Sequence, residues 1–139
     1  MSVSSALRQR VSEAADHRCE YCHSPQHLVF DILQVDHIHP IALGGMDVVD
    51  NLCLAYSMCN RYKGMQISAP DPLNGMPSTL FNPRIDLWNE HFSWDIDGTR
   101  IWGITARGRA TIIALHLNNH IAMRVRREWV SAGWHPPKP

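Results

Sequence analysis

All four cysteines, Cys19, Cys22, Cys53 and Cys59, fall in one stretch that also holds Asp36-His37-Ile38-His39-Pro40, Gly44-Gly45 and Asp50-Asn51. This crowding of ligand-type side chains constrains the fold more than the hydrophobic pattern does. Disulfide pairing needs an oxidising compartment, and Met1 to Arg10 lacks the apolar block of a signal peptide, so metal binding or burial of the thiols is the expectation. No run approaches the roughly 20 consecutive apolar residues of a membrane span. The chain is therefore expected to be cytoplasmic, with no membrane partner.

With 139 residues and a hydrophobic share of 45%, the chain suits one compact unit plus an extension. Ser4 or Ser5 caps a first predicted helix, with Leu7, Val11, Ala14 and Ala15 on one face. Leu28 to Ile38 predicts a strand or two short strands, and Pro40 with Gly44-Gly45 imposes a loop. Leu52 to Ala55 predicts the returning strand, and Asn60 to Met65 a short helix closed near Gly64. Pro70, Pro72, Gly75, Pro77 and Pro83 make residues 68–84 a linker loop without regular structure.

Beyond it, Asp95-Ile96-Asp97-Gly98 predicts a hairpin turn between Phe92-Ser93-Trp94 and Ile101-Trp102-Gly103-Ile104. Thr105 caps a helix through Leu117, and a last helix runs from about Asn119 to Ala132 with Ile121, Val125 and Trp129 on one stripe. The expected domains are 1–67 as a core, 68–84 as the linker and 85–139 as an extension packed on the core.

The formal net charge is zero, but its distribution is lopsided: Met1 to Asp50 carries −4, the middle −2, and Arg100 to Pro139 carries +6. An acidic, histidine-bearing front and a basic back end suit metal chemistry and phosphate attraction in different parts of one chain. Arg124, Arg126 and Arg127 of the last predicted helix are the candidates for nucleic-acid contact; the alternative is a solvated basic helix.

In order and spacing, Cys19-Glu20-Tyr21-Cys22, Asp36-His37-Ile38-His39-Pro40, Gly44-Gly45, Asp50-Asn51-Leu52 and Cys59-Asn60-Arg61-Tyr62-Lys63-Gly64 together resemble the HNH endonuclease family, in its Cys-x-x-Cys zinc-knuckle branch. The resemblance covers about Arg18 to Gly64. It implies an α+β fold with a ββα-metal (HNH, His-Me finger) core, an N-terminal helix, and a C-terminal extension of a hairpin and two helices. The segment from Leu80 through Trp94 to Pro137 resembles an extension of bacterial, especially cyanobacterial, members.

What the resemblance implies for activity is hydrolysis of DNA phosphodiester bonds, on a duplex by expectation, leaving 5′-phosphate and 3′-hydroxyl ends. His37 is the implied general base and Asn51 holds the loop and orients the histidine backbone. Asp36 and Asn60 are the implied ligands of one Mg²⁺ or Mn²⁺, oxygen donors of the kind a hard cation prefers. Because neighbouring strand residues point to opposite faces, Asp36 and His37 require a bend to face one phosphate. Arg61 and Lys63 are placed to meet the DNA backbone, the alternative being exposed helix charge. His39 is either an accessory ligand or a solvated residue at the strand end.

The chain departs from the family at position 56, where Tyr56 stands in place of a second-knuckle cysteine. Cys19, Cys22 and Cys59 remain as ligands of a structural Zn²⁺, which ordinarily takes four. Cys53, His23 and His17 are the candidates for the fourth; the competing reading is that zinc is lost and Tyr56 fills the space. Two functional alternatives stand beside the nuclease: a non-catalytic zinc-knuckle DNA-binding module, and an interaction domain whose basic last helix docks on an acidic partner.

Overall fold

The structure is a computed structural model and describes residues 3–138. It has two compact units: one runs up to Ile67 and includes Asn82–Asp86, the other comprises Ser68–Phe81 and the chain from Leu87 onward.

In the first unit, α1 (Ser5–Ala14) starts at Ser4, whose hydroxyl accepts the Leu7 amide at 3.2 Å and satisfies one of the orphan donors of the first turn. Strand β1 (Gln34–His37) pairs antiparallel with β2 (Leu52–Ala55), with Val35 opposite Leu54, Asp36 opposite Cys53 and His37 opposite Leu52. Alternation along this ribbon sorts its side chains. Val35, Leu52 and Leu54 join Val11 of α1 and Leu33 in the apolar core. On the opposite face stand Gln34, Asp36, Cys53 and Ala55, toward α2 (Ser57–Lys63). The ββα arrangement of an α+β fold is thus complete within 34–63.

The cysteine turn docks on the free edge of β2. The Glu20 amide donates to the Leu54 carbonyl at 2.8 Å, and the Leu54 amide donates to the Glu20 carboxylate at 2.8 Å. Arg84 pairs with the same carboxylate. Burial raises the Glu20 carboxyl above its ordinary range, and the Leu54 amide and Arg84 pull it back.

Of the second unit, β3 (Ser68–Pro70) and β4 (Pro77–Thr79) form a short antiparallel ladder where the prolines predict no regular structure. Its terminal pair is Pro70 opposite Pro77, where missing amides cost least. The single-turn helix α3 (Trp88–His91) leads into β5 (Phe92–Trp94), which pairs with β6 (Ile101–Gly103) as the predicted hairpin. Helix α4 (Ala106–Ala114) is capped by Thr105 and stops short of Leu117 because His116 takes φ 51. Helix α5 (His120–Ser131) is capped by Asn119. No helix of the described residues is long and apolar enough to cross a membrane.

Candidate active site and cysteine cluster

His37 ends β1 on the core face of the ribbon, half-buried with 17% of its side chain exposed. Its Nε2 lies 2.5 Å from Oδ1 of Asp47, a residue of the following loop that sequence reading passed over. That loop is tied down by Asn51. The Asn51 side chain accepts the His39 amide at 2.8 Å and donates to the carbonyls of His39 and Met46 at 3.0 Å each. Gly44 turns with φ 96, and Gly45 packs so closely that a Cβ there would lie 1.8 Å from the His39 carbonyl oxygen. His39 turns back on the same loop, its Nε2 at 2.9 Å from the Leu43 carbonyl.

Across the ribbon, Asp36 is 5% exposed and its carboxylate is fully engaged. The Tyr21 hydroxyl donates to it at 2.8 Å, Cys53 Sγ lies 3.7 Å away, and the Lys63 ammonium is 3.3 Å from Oδ2. Lys63 also donates to the His37 carbonyl at 3.1 Å, which ties α2 to the end of β1. Burial raises the Asp36 carboxyl above its ordinary range, with Lys63 and Tyr21 opposing that rise. The Tyr21 hydroxyl is also pushed up, by burial first and by Cys53 and Asp36 next.

Asn60, one turn before Lys63, donates its amide to Gln34 at 2.7 Å. Asp36 and Asn60 therefore face the same side of β1, and carboxylate and amide oxygens are the donors a hard cation prefers. In this arrangement, however, the ammonium of Lys63 already stands against the Asp36 carboxylate. A divalent cation at the same oxygens would meet a like charge at contact distance. The pair as placed does not fit Mg²⁺ or Mn²⁺.

Lys63 is 2% exposed, so it is a buried counter-ion, whereas the sequence pattern alone put it at the surface for phosphate. Arg61 is exposed. In the second unit the three arginines of α5 divide the same way. Arg124 and Arg127 are exposed. Arg126 is buried, donating to the carbonyls of Thr99 at 3.1 Å and Leu117 at 2.6 Å, with its guanidinium 5.5 Å from the Trp94 ring centroid. Arg126 therefore supports the unit's interior instead of a ligand surface.

The sulfur atoms of Cys19, Cys22 and Cys59 lie within 4.8 Å of one another, and all three residues are buried. Cys19 and Cys22 come from a tight turn in which the Cys22 amide points at Cys19 Sγ at 3.4 Å, and Cys59 comes from the first turn of α2. Burial pushes the Cys19 thiol well up, and hydrogen bonds from Cys19 and Cys22, followed by burial, push up Cys59. Three thiols in so small a space resist ionisation unless a cation joins them, which is the donor chemistry of a thiophilic metal. Among the described residues no fourth histidine, cysteine or carboxylate completes the set. Cys53 is instead committed to Tyr21 at 3.4 Å. Next to Cys22 Sγ, at 3.1 Å, is the Ser24 hydroxyl.

The same stretch matches the HNH endonuclease family over residues 19–66. Those residues are an HNH domain. No curated protein and no solved structure matches the chain. The family match takes in the cysteine cluster, both strands of the ribbon and α2, and leaves the second unit outside it. The matched region thus holds a ββα frame and a three-cysteine cluster of the zinc-knuckle kind that could hold a metal ion.

Proposed function

We propose that the protein is a DNA endonuclease in which His37 is the general base for attack of water on a phosphodiester. The observation that carries this reading is the position of His37. It ends the first strand of an HNH ribbon, is half-buried with 17% of its side chain exposed, and lies beside a loop that Asn51 holds through three hydrogen bonds. A neutral imidazole carries a lone pair that accepts a proton from water as the new P–O bond forms. The P–O3′ bond then breaks and the 3′ oxygen takes a proton, leaving 5′-phosphate and 3′-hydroxyl ends.

In this proposal Asn51 fixes the loop, while Arg61, Arg124 and Arg127 are the exposed cations for the DNA backbone. The three cysteines hold a structural Zn²⁺, with the fourth position outside the His, Cys and carboxylate set. Asp36 and Asn60 serve a Mg²⁺ or Mn²⁺ only once Lys63 withdraws from Asp36. The closed Lys63–Asp36 pair favours a second reading, in which the HNH frame binds DNA without cutting it.

Nicking of supercoiled plasmid by the full chain, with Mg²⁺, Mn²⁺ or EDTA and beside His37→Ala, tests the proposal. Metal-dependent nicking lost in His37→Ala is the expected result. DNA binding without nicking by the native chain selects the second reading, and equal nicking by both proteins removes His37 from the role.

A further inference from the structure

We propose that Asp47 is a positioning residue for His37, and that it leaves Nδ1 as the nitrogen that takes the proton from water. The catalytic half of this inference rests on the nuclease reading; the structural half does not.

A carboxylate accepts hydrogen bonds and does not donate them, so the 2.5 Å contact places the ring hydrogen on Nε2. A neutral imidazole has one N–H, and the lone pair is then on Nδ1. A histidine–carboxylate pair on two loose surface side chains is worth little and fixes nothing. Here both partners are held from the backbone. His37 is fixed by the ladder opposite Leu52, with the next residue, Ile38, donating to the Asn51 carbonyl at 2.9 Å.

Asp47 is bracketed on both sides by the same asparagine. The Asn51 side chain donates to the carbonyl of Met46, one residue before, and the Asn51 backbone amide donates to the carbonyl of Val48, one residue after, at 2.9 Å. Gly45 adds a second restraint, its amide donating to the Pro40 carbonyl at 2.9 Å. The influence of Asn51 on the imidazole therefore passes through Asp47, which joins the middle residue of the motif to its first. His39, with its Nε2 at the Leu43 carbonyl, is engaged elsewhere.

The test is long-range ¹H–¹⁵N correlation of the His37 ring in the full chain at pH 8, with plasmid nicking measured in parallel. The native protein is expected to show the Nε2–H form, retained in Asp47→Asn, whose amide oxygen still accepts, and lost to a mixture in Asp47→Ala. Nicking by Asp47→Ala is expected to fall about 10²-fold in kcat with KM unchanged, the scale of a general base put out of position. Asp47→Glu should recover part of it. A native ring protonated at Nδ1, or the same tautomer in Asp47→Ala, overturns the proposal. So does equal kcat in Asp47→Ala and an active native enzyme, which leaves the nuclease reading standing. If no protein nicks DNA while the tautomer follows Asp47, the nuclease reading fails and the positioning contact stands.

Discussion

Replacing Lys63 with methionine isolates the buried pair on which the α2 side of the HNH domain closes. Methionine keeps most of the volume and removes the charge, so Asp36, 5% exposed, is left with the Tyr21 hydroxyl as its main compensation. Breaking a buried ion pair from one side costs about 3–5 kcal/mol. At ~4 °C per kcal/mol, that lowers the Tm of this unit by roughly 12–20 °C. The loss has a pH signature. Burial already raises the Asp36 carboxyl above its ordinary value, so the folded state binds protons more readily than the unfolded chain. Stability from that shift is fully present below an ordinary aspartate pKa of about 4 and is lost as pH rises through the folded value. Without Lys63 the folded value moves higher, so the penalty is small in acid and full at pH 8. Adding Asp36→Asn to Lys63→Met removes the stranded charge and should restore much of the stability at pH 8. Thermal melts of the three variants at pH 5 and 8 provide the assay. Because Trp88, Trp94, Trp102, Trp129 and Trp134 all belong to the second unit, hydrogen exchange at β2 follows the first. A Lys63→Met protein as stable as the native one at pH 8, or a double variant no better than the single, refutes the ion-pair reasoning.

Gly45→Ala should cost about 1–3 kcal/mol, read as a shift in urea midpoint, because its Cβ meets the His39 carbonyl oxygen at 1.8 Å and the loop must open to admit it. Protection of the Gly45 amide should disappear with it. Protein purified without added metal should carry about one zinc per chain, with chelation lowering the Tm of the first unit and Cys59→Ser abolishing the metal; metal-free protein of unchanged stability would make the cysteines plain core residues. In the second unit, Arg109 grips Asp71 through Nε at 3.0 Å and Nη2 at 2.9 Å and holds its carboxyl below the ordinary range. That contribution is present above about pH 4 and fades as pH falls through the lowered folded value, so Asp71→Asn should flatten the acid limb of tryptophan-monitored stability.

Much of this fold is legible in the residues because local chemistry and tertiary packing agree. The β2 boundaries follow from a short apolar run, and the hairpin at Asp95 and the caps Ser4 and Thr105 from turn and cap preferences that the structure uses. The strand at Leu28 to Ile38 is overdrawn, because its apolar content includes Phe30 and Ile32, which are exposed, and only Gln34–His37 pairs. Helix α2 begins at Ser57, not Asn60, since the motif draws attention to its asparagine and nothing at Tyr56 caps the turn by side chain.

At the site, residue type was legible and side-chain partnership was not. Spacing held part of the missing information. Lys63 lies three residues after Asn60, on the helix face toward β1, and Arg126 lies three before the buried Trp129, while Ile121 of the expected apolar stripe is 73% exposed. Charge type suggested solvent; helical phase points inward. Asp47 has no such signal, because a lone aspartate in a glycine-led loop looks the same as Asp50 until the loop is closed.

The regular register of β1 decides how the HNH residues can cooperate. Asp36 opposite Cys53 and His37 opposite Leu52 follow one another without a bulge, so the bend expected between them is absent and their side chains take opposite faces of the ribbon. Each face has its own support: Lys63 and Tyr21 for Asp36, Asp47 and Asn51 for His37. Lys63 links the two sides, spanning the Asp36 carboxylate and the His37 carbonyl. Moving that ammonium would therefore leave the Asp36 carboxylate without its counter-ion and free the backbone at His37 in one displacement. A conservative change at Asp47 should then leave the Asp36 side intact, and a change at Lys63 should disturb both sides.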